Sequence, residues 1–417
     1  MKEALSHPSA LLLLQLLLIV AAARMAGWLF RKLGQPSVIG EILAGIALGP
    51  SLLGRFTPAI SAQLFPVASL GTLQQLSNVG LILFMFIIGM ELDFSLVKGK
   101  GGKVLAISQA GIIIPFGLGA VLARPLYNSY APPGVPFFVF ALFTGIAMSI
   151  TAFPVLARII RERGMMGTRL GTLTLTCAAA DDVVAWCLLA LITAIAKGAS
   201  GAGFGWMLLY TAIYIGAMFG LVKPLLAYVA GRLKNGALSF GYVSLLFCVL
   251  LLSALATELI GLHALFGAFL AGIILPKSLQ LRHALIEKTE AVATGLLLPL
   301  FFVSTGLRTN IAALGGLQEW GWCGLIILTA VAGKLGGCTI AARLSGERWR
   351  DSIAIGALMN TRGLMQLVVL TIGYDLGIIS PTIFTMMVLM AIVTTMMTAP
   401  LLRLTQVGWT TIFKTAQ

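Results

Sequence analysis

The chain has 417 residues, 59% of them hydrophobic and only 10% charged, with a formal net charge of +14. A soluble domain of that length needs a far more charged surface, and no polar half is left over for a separate water-soluble domain. Composition therefore excludes a soluble enzyme, and the basic excess, spread among helix ends, excludes nucleic acid as a partner.

About thirteen apolar stretches, each near the ~20 residues a helix needs to cross a bilayer, follow one another at 9–30, 37–53, 71–92, 104–123, 136–158, 168–196, 204–229, 238–257, 260–276, 289–306, 321–342, 352–373 and 382–402. The fold class is thus an all-α polytopic membrane protein. The first stretch passes Ala21-Ala22-Ala23 and is followed by basic residues. Its leading segment holds only Lys2, offset by Glu3, so it reads as an uncleaved helix and not a removed signal peptide. The second carries Glu41, either a second proton site or a satisfied polar residue near an interface.

The fifth stretch contains Met148-Ser149-Ile150-Thr151-Ala152-Phe153-Pro154. Proline removes a backbone donor and interrupts a helix, and interrupted helices at membrane depth occur where they line a cavity or are buried in protein. The sixth holds Ala180-Asp181-Asp182-Val183. One charge at mid-membrane costs roughly 3 kcal/mol or more, so two adjacent carboxylates call for a function. Consecutive helical residues diverge by about 100°, which gives the two aspartates different partners: one faces an ion pathway, the other pairs with a cation. The seventh, 204–229, stands alone as a linker helix. His263 opens the ninth as an interfacial residue or a pH sensor.

Lys334 lies mid-span in the eleventh stretch, within Ala332-Gly333-Lys334-Leu335-Gly336-Gly337, and is the expected cation partner of an aspartate. The twelfth contains Met359-Asn360-Thr361-Arg362-Gly363, a second polar centre loosened by glycine. Free carbonyls, amides and half-helix dipoles at two such centres make ion sites. Cys177, Cys187, Cys248, Cys323 and Cys338 show no metal spacing and read as small buried hydrophobes. Glu91, Asp93, Glu258, Glu347, Asp351 and Asp375 fall near helix ends. No Walker loop or dinucleotide fingerprint appears. No cofactor, nucleotide-binding domain or enzymatic activity is expected.

About 21 of the 28 Lys and Arg residues fall in alternate gaps and about 5 in the others, which sets the N-terminus outside and the C-terminus in the cytoplasm. The segment Gly40-Glu41-Ile42-Leu43-Ala44-Gly45-Ile46 matches Gly267-Ala268-Phe269-Leu270-Ala271-Gly272-Ile273. The phenylalanine-rich run ending at Gly89 likewise matches the one ending at Gly306. Helix two then pairs with nine, three with ten and five with twelve. An offset of seven inverts the second half, a 6+1+6 plan that recurs in secondary transporters.

Six segments together carry a family resemblance: LGQPSVIGEILAGIALGPSLLG (33–54), FMFIIGMELD (84–93), TAFPVLARII (151–160), AADDVVAW (179–186), LHALFGAFLAGIILP (262–276) and GALMNTRGLMQLVVLTIGYDLGIIS (356–380). The chain resembles the monovalent cation:proton antiporter-2 family, which includes bacterial sodium/proton and potassium/proton antiporters and plant cation/proton exchangers. The resemblance implies scaffold and dimer helices one to three (1–95), core helices four to six (100–197) and a linker (204–229). It further implies scaffold helices eight to ten (236–310), core helices eleven to thirteen (320–404) and a short cytoplasmic tail (405–417). It implies a homodimer in a bacterial inner membrane, with an elevator movement of the core. Asp182 matches the aspartate that alternately holds cation and proton. Asp181 matches a position that pairs with the lysine corresponding to Lys334. Thr151 and Arg362 lie at the two helix crossings. Thr151, Ser149 and nearby carbonyls are expected around the cation, and Asp181 with Asp182 as its carboxylate ligands. Lys334 and Arg362 supply charge compensation, and Ala152, Phe153, Pro154, Asn360, Thr361 and Gly363 form the broken-helix centres. Gln366 departs from the family's Arg-Gly-Leu-Met-Glu run. A sodium-coupled organic solute symporter and a cation channel are the competing classes.

Overall fold

The computed structural model describes residues 7–91, 101–196, 201–232, 240–276 and 279–405. Lys2, Lys98, Lys100, Lys197, Lys234, Lys277 and Lys414, which contribute to the charge alternation, lie outside the described residues, as do Asp93 and the tail after Thr405. Helices fill the apolar stretches in order. α1 is Pro8–Lys32, α2 Ser37–Leu48, and the short α3 and α4 are Leu53–Phe56 and Pro58–Leu64; α5 is Val67–Glu91 and α6 Gly101–Tyr130. The fifth stretch is divided into α7 (Phe137–Ser149) and α8 (Phe153–Glu162), and α9 is Arg169–Ala196. The linker region forms α10 (Gly201–Ala217) and α11 (Lys223–Gly231) with a π-helical turn between them, followed by α12 (Phe240–Ile260) and α13 (Ala264–Ile273). Two more π turns join α14 (Leu279–Val292) to α15 (Leu298–Arg308) and α16 (Leu317–Val331) to α17 (Gly337–Leu344). The twelfth stretch is divided into α18 (Trp349–Met359) and α19 (Leu364–Asp375), and α20 is Pro381–Leu404. Eleven helical runs among the described residues are long and apolar enough to cross a membrane, and α7 and α13 are shorter apolar helices.

The chain divides into two compact units. The first comprises residues 1–20, 65–93 and 193–304, the second 21–64, 94–192 and 305–417. Residues 21–64 were expected with the scaffold, yet they cluster with the expected core helices. The cause is close packing inside the second unit. A Cβ at Gly306 would lie 2.5 Å from the backbone of Gly45 and Ile46, and one at Gly49 would lie 3.0 Å from the Leu307 Cα. Ser51 donates to the Thr309 carbonyl at 2.8 Å. Such contacts need glycine because a side chain would occupy the space of the facing backbone.

In the first unit α13 packs on α5 in the same manner. Gly272 lies against the backbone of Phe86, Gly89 and Met90, and Gly89 against that of Phe269 and Gly272. Arg282 donates to the carbonyls of Met90, Leu275 and Pro276 at 2.7, 2.9 and 3.2 Å, covering the C-terminal ends of both helices. Ser253 on α12 bridges the Tyr214 hydroxyl and the Gly267 carbonyl.

Within the second unit the two divided helices end alike. Gly164 after α8 and Gly377 after α19 adopt φ of 64° and 68°. In each case the next amide reaches back to the carbonyl of the third-last helical residue, Met165 to Ile160 and Ile378 to Gly373. This left-handed cap is open to glycine at no steric cost. Cys187 and Cys248, expected buried, are exposed on apolar helix faces, whereas Cys177, Cys323 and Cys338 are buried.

Candidate functional site

The two helix interruptions meet inside the second unit. Residues 150–152 separate α7 from α8, and residues 360–363 separate α18 from α19. The Ala152 amide donates to the Thr361 carbonyl at 3.0 Å, tying one interruption to the other. A Cβ on Gly363 would lie 2.6 Å from Val155 Cγ2 and 3.6 Å from Ala152 Cβ, so only glycine allows this approach. Phe153 and Pro154, expected at the centre of the break, instead form the first turn of α8. A proline there forfeits no helical hydrogen bond, because the first amides of a helix are unpaired anyway.

Asp181, Asp182, Lys334, Arg362, Thr151 and Asn360 are all buried to within about 1%. Asp181 is fully engaged. Its Oδ1 accepts from Ser108 at 2.6 Å, and its Oδ2 accepts from Thr151 at 2.9 Å and from Lys334 Nζ at 2.9 Å. Lys334 also donates to the carbonyls of Gly111 and Ser149, both at 2.6 Å, which uses its three donors. Gly111 makes room for Cys338 beside the pair, since a Cβ there would lie 2.7 Å from Cys338 Sγ but in ordinary contact, 3.5 Å, with Lys334 Nζ.

Asp182 is the opposite case. Neither carboxylate oxygen has a hydrogen-bond partner within normal geometry. It experiences the like charge of Asp181, the opposite charge of Lys334 and the backbone amide of Phe153 at the start of α8. The positive end of a half-helix is thus directed toward a carboxylate that no side chain holds.

The last carbonyls of α7 point toward the crossing and would ordinarily attract a cation. Each already has a donor: Ile146 from the Ser149 hydroxyl at 3.0 Å, Ala147 and Met148 from Arg362 at 3.0 and 2.5 Å, and Ser149 from Lys334. At the end of α18 the Leu358 carbonyl accepts from the Thr361 amide, whereas the hydroxyls nearest Met359 and Ala357, those of Thr151 and Thr398, each have a single proton and a second acceptor within reach, Asp181 and the Thr394 carbonyl.

The sequence model of the family described as sodium/hydrogen exchanger, transmembrane, matches residues 19–404. The chain belongs to this family. It is 43% identical over 393 residues to the Na(+)/H(+) antiporter NhaS4 of Synechocystis, covering 94% of this chain and 96% of that one. It is 30% identical to the Na(+)/H(+)-K(+) antiporter GerN of Bacillus cereus, covering 94% and 95%, and 35% identical to the K(+)/H(+) antiporter 1 of Saccharomyces cerevisiae, covering 96% of this chain and 47% of the yeast protein. The chain thus spans about half the length of that yeast relative. Among solved structures, the sodium proton antiporter MjNhaP1 of Methanocaldococcus jannaschii shares the fold, with a TM-score of 0.68 at 15% identity, covering 93% and 97% of the two chains.

In this exchanger-family chain two expected ligands sit differently. The Ser149 hydroxyl turns back on its own helix, so only its carbonyl enters the site, where it accepts from Lys334. Thr151 binds Asp181, and not Asp182. Gln366, at the departure from the family run, accepts from Arg362 at 3.2 Å. Glu41 is buried in α2 among the charges of Arg24, Arg158 and Arg31. His263 caps α13, its Nδ1 accepting from the Leu265 amide at 3.4 Å. Among the described residues no group of three or more His, Cys, Asp or Glu side chains forms a metal cluster.

Sequence reasoning missed Ser108, Gly111, Thr395 and Thr398. Thr395 accepts from the Arg362 amide at 2.9 Å and donates to the Arg362 carbonyl at 2.5 Å, bracketing the second interruption. The run Thr394-Thr395-Met396-Met397-Thr398 inside an apolar helix was the available signal. Ser108 carried none, since a lone helical serine commonly bonds its own backbone.

Proposed function

We propose that this protein exchanges a monovalent cation, Na+ or K+, for protons across a membrane, with Asp182 alternately holding one or the other. The observation that carries the reading is the contrast within the acid pair. Asp181 is neutralised and hydrogen-bonded on both oxygens, whereas Asp182 is buried with no side-chain partner and only the Phe153 backbone amide directed at it. A bare carboxylate in a low-dielectric interior takes up a proton or a cation. Since it binds one at a time, the two compete, and competition at a single movable site is antiport. The last carbonyls of α7 each already accept from a protein donor, so a cation on Asp182 draws on their remaining lone pairs, on the α18 carbonyls or on water.

An elevator movement of the core against a dimerising scaffold would carry either form between sides. Matched glycines support an inverted repeat: Gly272 meets Gly89 in one unit, and their sequence counterparts Gly45 and Gly306 meet in the other. The charge alternation supports an outside N-terminus and a cytoplasmic C-terminus, and the similarity to the Synechocystis and Bacillus antiporters supports a bacterial inner membrane. No observation favours the solute symporter or the channel.

The test is Asp182→Asn in proteoliposomes, with proton flux recorded on adding Na+ or K+. Cation-dependent proton movement is expected to vanish while the protein still folds. Normal exchange in this variant would remove Asp182 as the carrier.

A further inference from the structure

Four membrane-length helical runs of the second unit end at one point. Lys103 lies at the start of Gly101–Tyr130 and Arg169 at the start of Arg169–Leu189, Arg343 lies at the end of Leu317–Leu344, and Trp349 opens Trp349–Asp375. The turn between the last two holds Glu347, which gathers the others. Its Oε1 accepts from Lys103 Nζ at 2.8 Å and from Arg169 at 2.7 Å, and its carbonyl accepts from Arg343 at 3.0 Å. The Arg343 guanidinium also lies 5.5 Å from the centre of the Trp349 ring, a cation–π contact that fixes both groups. Next to this knot the exposed Arg348 and Arg350 add two more cations, against Asp351.

The positive charge is in excess. Glu347 offers one carboxylate to an ammonium and two guanidinium groups. Each of the three gives a single hydrogen bond to Glu347 and, among the described residues, none to another protein group, although an ammonium has three donors and a guanidinium five. The Lys103 and Arg169 side chains are 43% and 73% exposed, so their remaining donors are available at the surface. An anion with several acceptor oxygens fits such a cluster, and phosphate matches the arginine fork best. The surroundings say which phosphate. The knot lies where four spans end, at the depth of the lipid headgroups. Leu344 and Trp349, 83% and 58% exposed, flank the turn, and large apolar side chains at that depth meet lipid.

We infer that Lys103, Arg169 and Arg343 hold the phosphate of an anionic phospholipid, with Leu344 and Trp349 beside its glycerol and acyl region and Arg348 and Arg350 adding attraction. The site goes beyond cation exchange and does not depend on it. Its position gives it a consequence for the acid pair. The helix that Lys103 begins, α6, carries Ser108 and Gly111; the one that Arg169 begins, α9, carries Asp181 and Asp182; and Lys334 lies just before α17, which Arg343 ends. A bound phosphate reduces the repulsion among the three cations and braces the helices that surround the pair.

Competition binding to the full-length protein tests the site. The protein in neutral detergent receives equal amounts of phosphatidylglycerol and phosphatidylcholine with the same acyl chains, and native mass spectrometry counts the lipid retained. The parent is expected to retain phosphatidylglycerol over phosphatidylcholine by about fivefold or more. The Arg169→Gln/Arg343→Gln variant is expected to lose this preference. Arg348→Gln/Arg350→Gln leaves every hydrogen bond to Glu347 in place and is the second variant should the first misfold; it is expected to lower the preference. Arg55→Gln/Arg124→Gln removes the same charge elsewhere and is expected to keep it. Equal retention of the two lipids by the parent overturns the site. So does an unchanged preference in the folded variants at 169/343 and 348/350, or an equal loss in the 55/124 control. Displacement of phosphatidylglycerol by an equal concentration of inorganic phosphate would identify a soluble anion as the ligand and overturn the lipid assignment.

Discussion

Asp181 and Asp182 show how one residue of offset separates two roles. The roughly 100° turn between them directs one side chain to Ser108, Thr151 and Lys334 and leaves the other with no side-chain partner. Removing one member of a buried ion pair strands the other, at a cost of about 3–5 kcal/mol, whereas replacing both is often far milder. Lys334→Met is therefore expected to lower thermal stability in detergent markedly, and the Asp181→Asn/Lys334→Met double variant to recover most of the loss. A double variant as unstable as the single one would mean that Lys334 matters for its two carbonyl contacts and not for the pair. These charges were legible in the sequence because an ionised group in an apolar helix has few explanations. The Ser149 hydroxyl was misplaced because the sequence does not show that it would bond the Ile146 carbonyl three residues back.

At the scale of elements, proline and glycine marked both interruptions, and the exact positions shifted for a reason. Pro154 is tolerated in the first turn of α8, so the break lies just before it. The second break lies in the polar, glycine-bearing run 359–363, but the donors to the α7 carbonyls beside it lie far away in sequence, Arg362 and Lys334 among them. Helix-on-helix contacts likewise reside in glycines whose partners the sequence only hinted at. Gly272→Ala would push a methyl into the Phe86–Met90 backbone and is expected to destabilise by about 1–3 kcal/mol. Gly205→Ala in α10 meets nothing within 4 Å and is expected to be neutral or stabilising by up to about 1 kcal/mol. Thermal melting of both variants checks the contrast. Equal melting points would mean that α13 adjusts its distance from α5 freely.

At the scale of the whole molecule, the helical class and the order of apolar segments followed from composition, because a bilayer-sized apolar run has essentially one stable backbone arrangement. The grouping into units did not, since the placement of residues 21–64 is decided by the Gly45–Gly306 approach. Basic residues read as topology signals also acquire partners that the sequence left open. Glu347, read as an interfacial acid, joins the start of α6 through Lys103 at 2.8 Å and the start of α9 through Arg169 at 2.7 Å to the turn between α17 and α18. Burial alone would raise its carboxyl pKa, but the Lys103 hydrogen bond and the Arg169 and Lys103 charges hold it below the ordinary glutamate value. A depressed folded-state pKa means that this contribution is complete above the unfolded pKa and fades as pH falls through the folded one. Because both cations are partly exposed, screening limits the gain to about 1 kcal/mol. Glu347→Gln is therefore expected to melt slightly below the parent at neutral pH, with the gap closing below the glutamate range and narrowing in high salt. A gap that stays constant from neutral to strongly acidic pH would show that the Glu347 carboxylate does not tie these three helix ends together by charge.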